Sequence, residues 1–210
     1  MDGILDCKKP FVLLLVGSLG SGKSHCVKYI CRELFGKGKV EHILCMSGGN
    51  LDDYSFLPED VVKNEFDEEM VKKLIRVQKT NGNPPALLIL DDMVGKNVTN
   101  NQVFKHLIST HRQINLSIIC VTQYLNTELS PLMRNCTTHC GWFKQEQKRA
   151  IQALHDSYGQ RHESYNLFKE KCMDILHKHE FCVFDPSKEG LAGYQVYKID
   201  GEIPEFNISF

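Results

Sequence analysis

The sequence Phe11-Val-Leu-Leu-Leu-Val-Gly-Ser-Leu-Gly-Ser-Gly-Lys-Ser24 begins with six apolar residues and ends in a glycine-rich turn. A continuous apolar run of this length is typical of a strand in a parallel sheet that is covered on both faces. After the turn, apolar residues from Val27 to Leu34 recur at helical spacing, and Gly36 is expected to end the helix. Because the pattern GxxxxGK[ST] lies between a strand and a helix, residues 17–24 are predicted to form a phosphate-binding loop, or P-loop.

The residue types in this loop suit a nucleoside triphosphate. Glycines allow the backbone to turn its N–H groups towards phosphate oxygens, and the start of the following helix adds a partial positive charge. Lys23 is expected to reach the β and γ phosphates, and the Ser24 hydroxyl is expected to ligate Mg²⁺. The predicted cofactors are therefore ATP and Mg²⁺. The predicted ATP-binding residues are Gly17, Ser18, Leu19, Gly20, Ser21, Gly22, Lys23, Ser24 and His25.

Two carboxylates follow the apolar run Ala86–Leu90. In open α/β sheets, ligands bind at the carboxyl ends of the strands, so Asp91 and Asp92 are expected near the P-loop. Asp91 is predicted to belong to the Mg²⁺ shell, directly or through water. Asp92 is predicted to polarise the water that attacks the γ-phosphate, which indicates hydrolysis. The alternative is that the two aspartates only cap a turn.

A later strand, Leu116–Val121, runs into Thr122 and Gln123. A glutamine at this strand end is predicted to sense whether ATP or ADP is bound; an ordinary polar strand end is the alternative. The sequence from Asp92 to Gly95 also fits the DxxG pattern of small GTPases. That class needs an NKxD pattern after a later strand, and the sequence contains none.

Apolar strands alternate with helical patterns along the chain, which predicts an α/β fold with a mostly parallel central sheet flanked by helices. The strand near residues 136–143 is expected after a loop that contains Pro131. Helices are expected at 145–157 and 163–178, and two closing strands follow. We predict one domain over residues 1–210, with the core motifs at about 11–150 and the C-terminal helices, closing strands and tail at 151–210.

Composition limits the classes of partner. The 210 residues include 25 Lys and Arg against 26 Asp and Glu, which leaves a formal charge of −1. This balance excludes a strongly basic nucleic-acid coat, although a local positive patch or pore remains compatible with it. No apolar run reaches the ~18 residues of a membrane span, so no span is expected.

These motifs together resemble the FtsK/HerA superfamily of P-loop ATPases, with a RecA/ASCE-like fold. Within it they are most similar to the genome-packaging ATPases of large double-stranded DNA viruses and virophages, the poxvirus-type packaging ATPases. The resemblance covers about residues 11–150. At the acidic strand end this sequence has Asp91-Asp92, whereas members of the family usually have Asp-Glu. It rests on the P-loop, the stretches 87–92 and 109–123, the pair His111-Arg112, Gln123, Pro131, and the pair Arg134-Asn135.

The resemblance implies a homo-oligomeric ring, a hexamer or a pentamer, that threads double-stranded DNA into a preformed capsid. Capsid or virion proteins are then expected partners. The protein is expected in the host cell interior, either in a cytoplasmic viral factory or in the nucleus. Association of the protein with the virion is also compatible with this role. In such rings a neighbouring subunit supplies an arginine finger to each ATP. Arg149 is the preferred candidate, with Arg112 and Arg134 as alternatives.

The segment Gly95–Asn101, with Lys96 at its centre, is the predicted DNA contact. Such loops touch phosphates rather than bases. Lys37 and Lys39 form a second candidate, and for both segments a surface loop without a ligand is the alternative.

Two other classes of protein stay open. A P-loop kinase for small molecules needs an arginine-rich lid, which the sequence does not display. A nucleotide-switched assembly protein would bind ATP with negligible turnover. ATPase assays with and without duplex DNA separate these classes.

Overall fold

A computed structural model describes residues 9–93, 98–123, 125, 130–162, 164–177, 179–199, 203, 204 and 206. The strands in this part of the chain are β1 (Val12–Val16), β2 (His42–Ser47), β3 (Val62–Lys63), β4 (Ala86–Asp91), β5 (Leu116–Thr122), β6 (His139–Phe143), β7 (Glu180–Phe184) and β8 (Tyr194–Lys198). The helices are α1 (Lys23–Gly36), α2 (Glu68–Thr80), α3 (Gln102–Thr110), α4 (Pro131–Cys136), α5 (Lys148–Tyr158) and α6 (Tyr165–Lys169). None of these helices has the length and apolar character needed to cross a membrane.

The described strands form one eight-stranded sheet in the order β3-β2-β4-β5-β1-β6-β7-β8. Strands β1 to β6 pair in parallel, whereas β7 and β8 add in antiparallel orientation. The predicted mostly parallel α/β fold is therefore confirmed. Strand β5 separates β1, which leads into the P-loop, from β4, which ends in Asp91. Consequently the P-loop, the acidic strand end and Gln123 all lie at the carboxyl edge of the parallel strands.

Both faces of the sheet are buried, as the unbroken apolar strands predict. Along β1, Val12, Leu14 and Val16 join one hydrophobic cluster, while Leu13 and Leu15 join the other. This alternation follows from the two-residue period of a strand. Helix α1 covers the second face through its apolar stripe, and α2, α3 and α5 cover the first. The central strands β1 and β4 are fully buried and support the carboxyl-edge loops.

Two local predictions were wrong. Pro131 does not lie in a loop but begins α4, because the Ser130 side chain accepts a hydrogen bond from the Met133 amide and proline suits the first helical turn. Strand β6 therefore begins only at His139. The expected helix at 163–178 is instead the short α6, which continues as a π-helical turn, Glu170–Asp174.

The C-terminal strands extend the same sheet as the motif-bearing part of the chain. Strand β7 pairs with β6 from Cys140 to Phe143, and β8 pairs with β7 along its whole length. On this basis we propose that residues 1–210 form a single domain, in line with the expectation from the sequence.

Candidate nucleotide-binding site

The loop between β1 and α1 has the backbone shape that a phosphate cradle requires. Gly20 and Gly22 adopt positive φ angles of 71° and 99°, which a residue with a side chain rarely adopts. At Gly17, an added Cβ would lie 2.4 Å from the Ser21 Oγ and 3.1 Å from the Phe143 ring. Ser21 Oγ is buried without a hydrogen-bond partner. The loop therefore fits closely between β1 and β6 and presents a polar group that a phosphate oxygen could satisfy.

Lys23 folds back over this loop. Its Nζ donates hydrogen bonds to the carbonyl oxygens of Gly17, at 2.7 Å, and Ser18, at 2.9 Å. Burial lowers the pKa of Lys23, and the nearby charges of Asp92 and Asp91 oppose that shift. The ammonium group is thus held in the loop, where the charges of both carboxylates act on it. Arriving phosphates would offer Lys23 stronger, charged acceptors than these two carbonyls.

Asp91 is buried, with 8% of its surface exposed, and two side chains hold it. The Tyr54 hydroxyl donates to Asp91 Oδ2 at 2.8 Å, and the Ser47 hydroxyl lies 3.5 Å from the same oxygen. Ser47 ends β2 and pairs with Asp91 in the sheet. Burial raises the pKa of Asp91, while the hydrogen bond from Tyr54 lowers it. Neither Ser47 nor Tyr54 could be found from the sequence, because their role follows from the β2–β4 pairing and no motif marks it.

Asp92 stands just beyond β4 in the left-handed region, with a φ of 52°. Its backbone amide donates to the Val121 carbonyl at 3.0 Å, so the turn is anchored to β5. The Gln123 Nε2 donates to Asp92 Oδ2 at 3.0 Å. The structure therefore joins two residues that the sequence singled out separately. A change in the position of one would be transmitted to the other.

The oxygen donors at this edge suit Mg²⁺. Ser24 follows Lys23 in the first turn of α1, and the carboxylate of Asp91 is buried. Mg²⁺ prefers hydroxyl, carboxylate and phosphate oxygens, and it usually keeps several waters. A desolvated carboxylate gains most from such a cation, since the cation relieves the cost of burying negative charge. The donor set therefore fits the predicted metal.

The remaining predicted residues are spread along the molecule. Arg149 is exposed in the first turn of α5, which follows β6 at the carboxyl edge. Arg112 is exposed in a 3₁₀ turn before β5, at the opposite edge, where it lines a cavity of about 660 Å³. Arg134 is exposed in α4, and His25 is half-buried in α1. Lys96 lies outside the described residues, so the predicted DNA contact stays a prediction.

Solved structures similar to this chain share its fold. The genome packaging NTPase B204 of Sulfolobus turreted icosahedral virus 2, in complex with AMPPCP, superposes with a TM-score of 0.67 at 15% identity, over 92% of this chain and 99% of that chain. The pCW3 conjugation coupling protein TcpA matches with a TM-score of 0.65 at 14% identity, over 91% of this chain and 61% of that chain. These similarities confirm the P-loop NTPase fold.

Sequence comparison identifies relatives among viral proteins. Uncharacterized protein 075L of Invertebrate iridescent virus 6 is 22% identical over 205 residues, which cover 93% of this chain and 78% of that protein. The family model described as Poxvirus A32 protein matches residues 5–150, a range that holds the P-loop, both aspartates, Gln123 and Arg149. The resemblance to the poxvirus-type branch is thereby confirmed, and the chain belongs to the Poxvirus A32 protein family.

Proposed function

We propose that this protein is an ATPase that packages a viral genome by translocating double-stranded DNA into a preformed capsid. The observation that carries the proposal is the contact between Gln123 and Asp92 beside the buried Lys23. A group that positions the attacking water and a group that senses the γ-phosphate are linked directly. Such a link is useful to a motor, which must convert the state of the nucleotide into movement.

In the proposed reaction, the P-loop residues 17–24 hold the phosphates of ATP, and Lys23 neutralises charge that develops on the β and γ phosphates. Asp92 accepts a proton from the attacking water. Gln123 donates to Oδ2 and so orients this carboxylate. Ser24 and Asp91 would hold Mg²⁺, which supplies further charge neutralisation on the phosphate oxygens.

The packaging role is supported by relatives rather than by the site alone. The family is that of the Poxvirus A32 protein, and the B204 protein with the same fold is a genome packaging NTPase of a virus. We extend that role to this chain, with duplex DNA and capsid or virion proteins as its partners. It would act in the infected host cell, in a viral factory or the nucleus.

We further propose that the chain works as a homo-oligomeric ring, a hexamer or a pentamer, with ATP at the subunit junctions. Arg149 is exposed beside the carboxyl edge and is the preferred arginine finger. Arg112 lies at the opposite edge of the sheet, so it would reach only the ATP of a neighbouring subunit. Mixed assemblies of wild-type and Arg149→Ala chains test this role, since a finger acting in trans lowers activity out of proportion to the variant fraction.

ATP hydrolysis measured with and without duplex DNA tests the function. We expect turnover that duplex DNA stimulates and that Asp92→Asn abolishes. The matched control is Asp60→Asn, which removes an exposed carboxylate from another turn. If duplex DNA leaves the rate of ATP turnover unchanged and turnover requires an added nucleoside, the protein is a kinase. Tight ATP binding without turnover would identify an assembly switch.

A further inference from the structure

We propose that the cavity beside the P-loop binds the purine and ribose of the nucleotide, and that Gln145 and His179 determine its specificity. This inference rests on the proposed ATPase function and names the part of the substrate that these residues recognise. Neither residue belongs to a motif that the sequence analysis identified.

The cavity lies on the side of the P-loop away from the acidic strand end. It has a volume of about 390 Å³, and its lining includes Ser18 to Ser21, the segment 143–147, and His177, His179 and Glu180. This volume falls in the ~300–1,000 Å³ range of small-molecule sites. A site of this size directly against a phosphate loop can accept the remainder of a nucleotide.

Sheet order decides which end of the nucleotide enters this cavity. Gln123 and Asp92 follow β5 and β4, on one side of β1, so the γ-phosphate belongs on that side. Strand β6 flanks β1 on the other side and leads into Gln145. A triphosphate held at the loop with its γ-phosphate towards Asp92 therefore directs its ribose and base towards β6 and the cavity.

Gln145 is poised for a ligand that carries hydrogen-bonding groups. Only 8% of its surface is exposed, and its Nε2 has no hydrogen-bond partner. Buried amides in folded proteins are almost always paired, so an unpaired one indicates a missing partner. The ring nitrogens of a purine and the hydroxyls of ribose are acceptors of the kind that this amide lacks.

His179 brings an aromatic ring to the rim of the same cavity. Its Nδ1 lies 3.7 Å from the position that a Cβ on Gly22 would take, and Phe143 Cε1 lies at the same distance. The His179 backbone is in the left-handed region, with a φ of 67°, which is uncommon for a residue other than glycine. Strain of this kind is retained where the surroundings or a function require it. An exposed imidazole here can stack on the large face of a purine.

The test compares ATP with inorganic tripolyphosphate, which carries the phosphates without ribose and base. Gln145→Leu removes the amide at similar size. His179→Asn removes the ring but keeps a residue that tolerates positive φ. We expect each variant to bind ATP about tenfold more weakly, equivalent to ~1.4 kcal/mol. Tripolyphosphate affinity should remain unchanged, and the preference for ATP over CTP should decrease. His106→Asn, which changes an exposed residue of α3, is the control and should change neither affinity.

The outcomes separate this inference from the function on which it rests. If the wild type binds and hydrolyses ATP but both variants retain its ATP affinity, the base subsite is wrong and the ATPase stands. If a variant loses affinity for ATP and for tripolyphosphate equally while its thermal unfolding, followed by circular dichroism, is unchanged, the residue acts on the phosphate loop. The proposed base subsite is then wrong. Failure of the wild type to bind either ligand overturns both proposals.

Discussion

Gln123 Nε2 donates a hydrogen bond to Asp92 Oδ2 at 3.0 Å, across 31 positions of sequence and from the ends of two adjacent strands. The bond aligns the carboxylate that we assign to the attacking water, and it leaves the glutamine in contact with the site of hydrolysis. Because the bond is between side chains, it can be removed without changing the paired backbone of β4 and β5.

Gln123→Leu should therefore slow hydrolysis while leaving ATP binding nearly intact. Loss of a positioned catalytic group typically costs about 10²–10⁴-fold in rate, and we expect the lower part of this range for a residue that acts through Asp92. Single-turnover hydrolysis and ATP affinity, measured in parallel, check this. Gln102→Leu, which changes an exposed residue of α3, is the matched control. Equal turnover by Gln123→Leu and the wild type would contradict the role of this contact.

Lys23→Met should abolish the stabilisation that ATP gives the folded protein. A ligand present at a hundred times its dissociation constant raises the free energy of unfolding by about 2.7 kcal/mol. A variant that does not bind the ligand gains none of this stabilisation. Burial lowers the pKa of Lys23, so the folded state disfavours its charge, and we expect little loss of stability without nucleotide. Thermal unfolding with and without ATP measures both effects. Lys73→Met, in which an exposed lysine of α2 is changed, should keep the full ATP-dependent shift.

Tyr54→Phe should move the acid limb of activity to higher pH. The hydroxyl of Tyr54 lowers the pKa of Asp91, which burial otherwise raises. Without the hydroxyl that pKa rises further, so the carboxylate is protonated, and lost as a metal ligand, at a higher pH. The Mg²⁺ dependence of hydrolysis across a pH series measures the shift. Tyr165→Phe, with its hydroxyl remote from Asp91 on α6, should reproduce the wild-type profile.

Asp91→Asn should be more stable than the wild type at neutral pH although it loses Mg²⁺-dependent turnover. The pKa of Asp91 is raised in the folded state, so the folded protein holds that proton more tightly than the unfolded chain does. Above the pKa that Asp91 has in the folded protein, its ionisation therefore lowers the free energy of unfolding. This loss disappears as the pH falls through that pKa. Each kcal/mol recovered raises the melting temperature by about 2–4 °C. A lower melting temperature at neutral pH would contradict this balance.

Gln78→Leu should destabilise the fold without altering the nucleotide site. The Gln78 amide is fully buried and donates to the carbonyls of Pro84 and Ile114, the latter at 3.0 Å. Its Oε1 lies 2.9 Å from His42 Nδ1, so one side chain ties α2 to the starts of three strands. Each buried partner left unsatisfied costs about 1–3 kcal/mol. Urea unfolding measures the loss, and Gln152→Leu, on the surface of α5, should change stability by less than about 0.5 kcal/mol.

The sequence predicted the parts of the site that local patterns encode. The P-loop could be identified because glycine spacing, Lys23 and Ser24 all serve one ligand within eight residues. Asp91 and Asp92 could be placed at the correct edge because carboxyl ends of parallel strands share one edge. Tyr54 could not be found, since its only signal is a hydroxyl in a polar loop. Its importance depends on β2 lying next to β4.

The same division explains the local errors. Pro131 reads equally well as a loop residue or as the first residue of a helix, and the Ser130 cap decides between them. The stretch after residue 163 has a helical pattern, yet the chain turns into π-helix at Glu170–Asp174, which places Cys172 and Met173 in the core. Packing against the sheet outweighs propensity at such positions.

What the sequence determined by itself was the alternation of strands and helices, the phosphate loop and the acidic strand end, because hydrophobic period and motif spacing are short-range properties of the chain. Only the tertiary structure decided that β5 lies between β1 and β4, that Gln123 bonds Asp92, that Tyr54 holds Asp91, and that His179 reaches the P-loop. These relationships join residues about 30 to 160 positions apart. They follow from which strands pair and which faces are buried together, and long-range packing selects that pairing.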